Sequence, residues 1–182
     1  MKKSIIAFIS LITLCIEPLM ASAEFSFKKY QVENGLSHNT TWCAIQDSYG
    51  FLWIGTSNGL NCYYGSGNKI YRNVLNDKYS LGNNFVSSLM EEGEDLWIGT
   101  SSGLYIYDRS DDHFLYFDKT TKYGVFISCE VKKIVKTKNG LIWIATLGQG
   151  IFIYDPAKDV LTQNSIPVSY THLRAHETDQ YL

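Results

Sequence analysis

The feature that most limits the fold of this chain is a block of about ten residues that occurs three times. The three copies read FLWIGTSNGL at 51–60, DLWIGTSSGL at 95–104 and LIWIATLGQGI at 141–151. Their tryptophans, Trp53, Trp97 and Trp143, are separated by 44 and 46 residues. Self-similarity at a fixed period of this length is the signature of a repeat architecture, in which each repeat is one small structural unit.

Each block lies between strand-like segments of similar character. An apolar stretch and a turn precede it, and an aromatic stretch, a polar turn and an outer strand follow it. Each repeat therefore predicts four short strands, and a sheet of four strands must stack on neighbours to bury both of its faces. We predict an all-β fold of β-propeller repeats, with antiparallel blades at 36–73, 81–118 and 127–164. Because propellers usually close with four to eight blades, about three blades form an incomplete propeller.

The repeated tryptophans and glycines are predicted to have structural roles. Tryptophan fills the space between neighbouring blades, and glycine permits the turn between the second and third strands. A sugar-stacking role for the tryptophans is the alternative, and their identical place in every repeat argues for packing. The predicted structural residues are Trp53, Gly55, Gly59, Trp97, Gly99, Gly103, Trp143 and Gly150.

Both ends of the chain differ from the repeats. Residues 1–23 have a short basic start, an apolar run and the small residues Ala21-Ser22-Ala23, the layout of a secretory signal peptide. Residues 168–182 resemble a translated sequencing adapter, and we interpret them as a non-native tail. The expected mature native part is therefore 24–167, and we expect the native sequence to continue beyond Pro167. It retains Cys43, Cys62 and Cys129, for which we predict neither a disulfide nor a metal site.

Composition and motifs argue against several functions. The formal net charge is −2 and no stripe of Lys or Arg is present, so we expect no nucleic-acid binding by this segment. The adjacent carboxylates Glu91-Glu92 and Asp111-Asp112 fall on predicted turns, and His38 and His113 are not part of a catalytic motif. No glycine-rich phosphate loop occurs. We therefore predict a segment that is not an enzyme and that uses no cofactor or metal.

The repeats resemble a known family. The pattern GLSHN, IQDSYG and FLWIGTSNGLN at 35–64 is similar to the two-component regulator propeller repeat, and it recurs at 81–107. The third copy, at 134–155, departs from it through Ala145 in place of glycine and an extra residue before Gly150. The resemblance covers about 25–164, nearly the whole expected mature native part.

This resemblance implies a function. Members form the periplasmic sensor of hybrid two-component systems, with further propeller blades, a membrane helix and a cytoplasmic histidine kinase downstream. The parent protein would sense a glycan-derived oligosaccharide or another small periplasmic ligand, would be anchored in the inner membrane and would form a homodimer. The alternatives are a propeller sensor with another output, such as a diguanylate cyclase, and a secreted propeller enzyme or scaffold.

Ligand contacts are predicted from propeller geometry alone. The loop that enters the innermost strand and the loop between the second and third strands lie on one face, and here both are rich in amide and hydroxyl groups. The alternative is that these side chains only close turns. The candidate ligand-binding residues are His38, Asn39, Ser57, Asn58, Asn83, Asn84, Ser101, Ser102 and Gln149.

Overall fold

The computed structural model describes residues 27, 29–65 and 67–164. The signal peptide predicted at 1–23 and the tail predicted at 168–182 lie outside the described residues. A single 3-10 turn, Val32–Asn34, precedes an otherwise all-strand structure in the described part. No helix among the described residues is long and apolar enough to cross a membrane.

Twelve strands form three antiparallel sheets of four. The first sheet contains β1 (Thr41–Gln46), β2 (Leu52–Thr56), β3 (Gly59–Tyr64) and β4 (Gly67–Tyr71). The second contains β5 (Val86–Glu92), β6 (Asp95–Thr100), β7 (Gly103–Asp108) and β8 (His113–Tyr116). The third contains β9 (Val131–Lys136), β10 (Ile142–Thr146), β11 (Ile151–Asp155) and β12 (Val160–Asn164).

Each sheet is a simple meander, with strands paired in the order in which they occur along the chain. The first strands of the sheets are neighbours, since β5 contacts both β1 and β9. The sheets therefore stack around an axis lined by their first strands, which is how propeller blades are arranged. The predicted all-β fold of four-stranded blades is confirmed, and the described residues form an open, incomplete propeller.

Two hydrophobic clusters join the blades. Trp53 and Leu60 of the first blade pack with Ile98 and Tyr107 of the second, and we call this contact the first joint. Trp97 and Leu104 of the second blade pack against the third, and we call this contact the second joint. The tryptophans of both joints are nearly inaccessible, with exposed fractions of 1% for Trp53 and 5% for Trp97.

The third tryptophan has a different environment. Trp143 has an exposed fraction of 41% and lies with Val135, Ala145 and Ile151 on an apolar, open face of the third blade. Sequence analysis predicted that this tryptophan also fills the space between blades. In the described residues it does not, because no further blade covers the surface to which it belongs.

The glycines of the repeat have two separate roles. Gly59 and Gly103 follow the turns between the second and third strands with φ of 126° and 129°, a region that side chains rarely adopt. Gly55 and Gly99 instead lie where the next blade approaches closely. A Cβ added at either one would lie 2.7 Å from a methyl carbon of Val86 or Val131, respectively. Ala145, their counterpart in the third blade, lies on the open face.

Candidate functional site

The predicted ligand-binding residues lie on one face of the propeller. In each blade, the turn after the second strand donates a backbone hydrogen bond to the segment that enters the first strand. Ser57 N donates to Thr40 O at 3.1 Å, and Ser101 N donates to Phe85 O at 3.3 Å. The structure therefore places both kinds of loop side by side, as the propeller geometry requires.

The polar side chains on this face form hydrogen bonds within turns and between neighbouring loops. Asn39 Oδ1 accepts from Val32 N at 3.0 Å, and Asn83 Oδ1 accepts from Phe85 N at 2.8 Å. Asn84 Oδ1 accepts from Asn73 N at 2.7 Å. The side chains of four further candidates also form hydrogen bonds: His38 and Ser57 in the first blade, Ser102 in the second and Gln149 in the third. The contacts of His38 and Asn83 span two residues and are turn chemistry, whereas those of Asn84 and Gln149 join separate loops. A ligand-binding role for these side chains stays a prediction.

A deeper cleft opens on the opposite face, at the first joint. It has a volume of about 420 Å³, within the range of small-ligand sites. It lies between the turns that follow β1 and β3 in the first blade and those that follow β5 and β7 in the second. We call it the aromatic cleft, since six aromatic side chains line it. These are Tyr49, Phe51, Trp53, Tyr64, Tyr71 and Tyr107.

The floor and the mouth of the aromatic cleft differ in burial. On the floor, the rings of Trp53 and Tyr71 are stacked, with centroids 5.9 Å apart and planes at 22°. Tyr107 meets Trp53 edge-on at 5.1 Å. At the mouth, Phe51 and Tyr64 are exposed and lie edge-to-face at 6.3 Å. An apolar floor below exposed aromatic rings gives a surface on which a flat, weakly polar ligand can stack.

A buried ion pair closes one side of the cleft. Asp47, on the turn after β1, accepts hydrogen bonds from Trp53 Nε1 at 2.7 Å and from Arg109 Nη1 of the second blade at 2.8 Å. Arg109 also reaches Glu91 at 3.4 Å and stacks over the ring of Tyr49 at 4.6 Å. Burial alone would raise the pKa of Asp47, but the hydrogen bonds from Trp53 and Arg109 outweigh it, and the pKa lies below its ordinary value.

A second polar group fixes the tyrosines of the floor. The hydroxyls of Tyr71 and Tyr107 lie 3.0 Å apart, and each donates to Asp112 Oδ1 at 2.7 Å. Lys69 of the first blade forms an ion pair with the same carboxylate. Burial, together with the nearby Asp112, raises the pKa of Tyr107 to about 12. Both phenols therefore stay neutral over the physiological range and act as fixed parts of the wall.

The corresponding cleft at the second joint has a different lining. It has a volume of about 330 Å³ and contains Trp97 and Tyr154 at the positions of Trp53 and Tyr107. The mouth is acidic rather than aromatic, since Asp95 and Asp108 replace Phe51 and Tyr64. Pro156 stands at the position of Arg109, so the described residues of this joint have no counterpart of the Arg109–Asp47 ion pair. The aromatic mouth is thus a property of the first joint and not of the repeat.

Sequence analysis missed the aromatic cleft. Its residues come from two repeats, and several lie outside the repeated block, so no spacing along the chain brings them together. One signal was available in the aligned repeats. Phe51 and Tyr64 are aromatic in the first repeat, whereas the second has aspartate at both positions and the third has Leu141 and Asp155. An exposed position that is aromatic in one repeat alone indicates a local role.

Comparisons with known proteins agree with the repeat and the fold. The two-component regulator propeller family matches residues 35–58 and 80–102, in the first two blades. Histidine kinase P4 of Formosa agariphila is 38% identical over 68 residues, which are 37% of this chain and 5% of that protein. The resemblance of the repeats to this family is confirmed, and the chain is similar to the propeller region of two-component sensors.

Two solved structures share the arrangement of blades. One is named as the extracellular domain of the hybrid two component system BT3049 from B. thetaiotaomicron, with a TM-score of 0.67 and 25% identity over 75% of this chain. Another is named as the extracellular domain of the one component system BT4673 from the same organism, with a TM-score of 0.57 and 20% identity over 76% of this chain. The match spans 20% of each solved chain.

Proposed function

We propose that this chain is the amino-terminal part of the periplasmic, ligand-sensing propeller of a hybrid two-component histidine kinase. The parent senses an oligosaccharide released from a glycan and controls transcription in response. The family match, the similarity to a histidine kinase and the likeness to an extracellular sensor domain support this proposal. The signal-peptide layout of residues 1–23 agrees with a periplasmic location.

The observation that carries the proposal is the match of the first two blades to the two-component regulator propeller family. The open face around Trp143 supports the part of the proposal that further blades follow. The same surface is covered by the next blade in the first two repeats, where Trp53 and Trp97 are buried. Exposed apolar patches that match a buried surface elsewhere in a repeat array are the sites of further repeats. We propose that the next blade of the parent covers this face, and that the segment also works with downstream signalling domains in a homodimeric parent.

Binding without catalysis is sufficient for this role. A ligand that prefers one arrangement of the blades shifts the sensor towards it, and the shift is limited by the difference in affinity. A ligand in the cleft of either joint would contact two blades at once, because side chains from both blades line each cleft. Such a ligand can therefore favour one arrangement of those blades. We infer that the segment itself is not an enzyme, binds no nucleic acid and needs no cofactor.

The proposal is tested first at the gene. Long-read sequencing across the codon for Pro167 is expected to reveal further repeats, a membrane span and a histidine kinase core. Deletion of the gene is then expected to abolish the induction of neighbouring glycan-utilisation genes when the bacterium grows on the polysaccharide. A cyclase domain in place of the kinase, or a stop codon directly after the third blade, would overturn the proposal.

A further inference from the structure

We propose that the aromatic cleft at the first joint is a subsite for an uncharged pyranose ring of the ligand. This inference rests on the proposed function, which makes the ligand an oligosaccharide, and it adds the place and the charge class of the contact. It also places a binding contact on the face opposite to the loops that sequence analysis predicted. Three observations carry it: surplus aromatic residues, a neutralised cation and unused hydrogen-bond donors.

The exposed rings of the mouth are not required for the packing of a blade. At the positions of Phe51 and Tyr64, the second blade has Asp95 and Asp108, and its sheet has the same four-stranded register. The rings of Phe51 and Tyr64 pack edge-to-face on each other but remain 37% and 45% exposed, so part of each ring is open at the mouth and available to a ligand. Contact with a ligand that covers them is the role that the geometry supplies.

The shape of the cleft suits a sugar ring. Tyr49, Phe51 and Tyr64 surround the mouth, while Trp53 lies deeper between the blades. A pyranose presents axial C–H groups on its faces and hydroxyl groups around its edge. It can therefore cover an aromatic ring with its apolar face and turn its hydroxyls towards the polar rim.

The charges of the cleft favour an uncharged ring. Arg109 is the cation in the lining, and it is balanced by Asp47 at 2.8 Å and by Glu91 at 3.4 Å. Glu94, at the same mouth, adds a further negative charge. A uronic acid or a sulfated sugar would meet this excess of carboxylates, and its binding would be opposed by like-charge repulsion.

The cleft also retains donors for hydroxyl groups. A guanidinium has five N–H groups in a fixed geometry. In the described residues, Arg109 uses three of them, through Nε to Glu94 O at 2.7 Å and through its two Nη atoms to Asp47 and Glu91. The guanidinium lines the cleft with its carbon 4.6 Å from the centroid of the Tyr49 ring. A sugar hydroxyl that accepts from one of the remaining N–H groups would leave the ion pair intact.

The test uses the full chain and saturation-transfer NMR with defined sugars. The neutral probes are cellotetraose, mannotetraose and laminaritetraose, and the anionic probe is trigalacturonate. The variant Phe51→Leu/Tyr64→Asn removes both mouth rings without a change in charge, and leucine is the residue of the third repeat at the first position. Tyr123→Asn removes an exposed aromatic ring elsewhere on the surface and serves as the matched control.

We expect at least one neutral probe to receive saturation on its ring protons and trigalacturonate to receive none. Loss of two aromatic contacts is expected to weaken binding about tenfold in the double variant, and Tyr123→Asn should bind like the wild type.

Equal affinity of the double variant and the wild type would overturn the subsite while leaving the proposed function intact. A preference for trigalacturonate would overturn the charge class. No signal from any neutral probe would overturn the subsite. The gene-induction experiment tests the sensor as a whole and decides the proposed function separately.

Discussion

The two joints of this molecule are built from the same repeat, yet their polar chemistry differs. At the first joint, Trp53 Nε1 donates to the buried Asp47, which also holds Arg109 of the next blade. At the second joint, Trp97 Nε1 is buried without a hydrogen-bond partner among the described residues. At this joint Glu92 stands at the position of Asp47, and it pairs with Lys136 at 2.7 Å near the surface. The repeat thus determines which face is buried, whereas positions that vary between the repeats determine the polar chemistry of each joint.

The largest difference in stability between equivalent substitutions is expected at the repeated tryptophans. Trp97→Ala removes a fully packed ring from the second joint and should lower the free energy of unfolding by about 3–5 kcal/mol. Trp143→Ala removes a ring that is 41% exposed and should lower it by less than about 1 kcal/mol. Denaturant unfolding of the full chain measures both. Equal losses would show that the open face is covered in solution.

The ion pair of the first joint is the next largest difference. Arg109→Met leaves the buried Asp47 carboxylate without its cation and should cost about 2–4 kcal/mol, because removal of one partner strands a charge. Lys136→Met breaks the exposed pair of the second joint and should cost less than about 1 kcal/mol. The same unfolding measurement compares them. If Lys136→Met were the more harmful change, the assignment of the strong polar contact to the first joint would be wrong.

The close approach of neighbouring blades can be tested at one position of the repeat, which is Gly99 in the second blade and Ala145 in the third. Gly99→Ala forces a methyl group against Val131 and should cost about 1–3 kcal/mol by overpacking. Ala145→Gly, on the open face, meets no such neighbour and should cost no more than about 1 kcal/mol, through backbone freedom. Thermal unfolding followed by circular dichroism suffices here. A Gly99→Ala variant as stable as the wild type would contradict the tight fit of the second joint.

The smallest expected effect is a difference in acid sensitivity. The pKa of Asp47 lies below 3.8 in the folded chain and returns to about that value on unfolding. The carboxylate therefore contributes stability above pH 3.8, and this contribution is lost as the pH falls through the folded pKa. Asp47→Asn should remove this part of the pH dependence while lowering stability at pH 7. Unfolding curves at several pH values provide the measurement, and an unchanged acid slope in the variant would contradict it.

Much of the fold was accessible from the sequence because its determinants are local and repeated. The block around Trp53 and Trp97, with a turn before it and a glycine near its end, predicts the strand order without knowledge of distant contacts. The environment of Trp143 was not accessible in the same way. Burial of that ring depends on a blade that its own repeat does not contain, so identical sequence positions have different exposure.

The aromatic cleft was not predictable for a related reason. Arg109 reaches Asp47 across 62 positions of sequence, and neither residue lies in the repeated block. The loop candidates such as Asn83 were easier to identify, because asparagine at a turn is visible in the sequence itself. Its main-chain contact shows why such a residue is present in a turn whether or not a ligand binds. Contacts between blades depend on how two repeats are placed relative to each other in space, and spacing along the sequence does not give that placement.

Ala145 has a consequence for self-assembly. A second copy of the chain could in principle add its first blade to the open face of the third, and repeated addition would build a filament. In the register of the existing joints, Thr41 of the added copy would take the place of Val86 and Val131. Those valines lie 2.7 Å from a Cβ built on Gly55 or Gly99, whereas Thr41 would face the Cβ that Ala145 already carries. A blade that covers this face in the existing register is therefore expected to carry a smaller residue at the position of those valines.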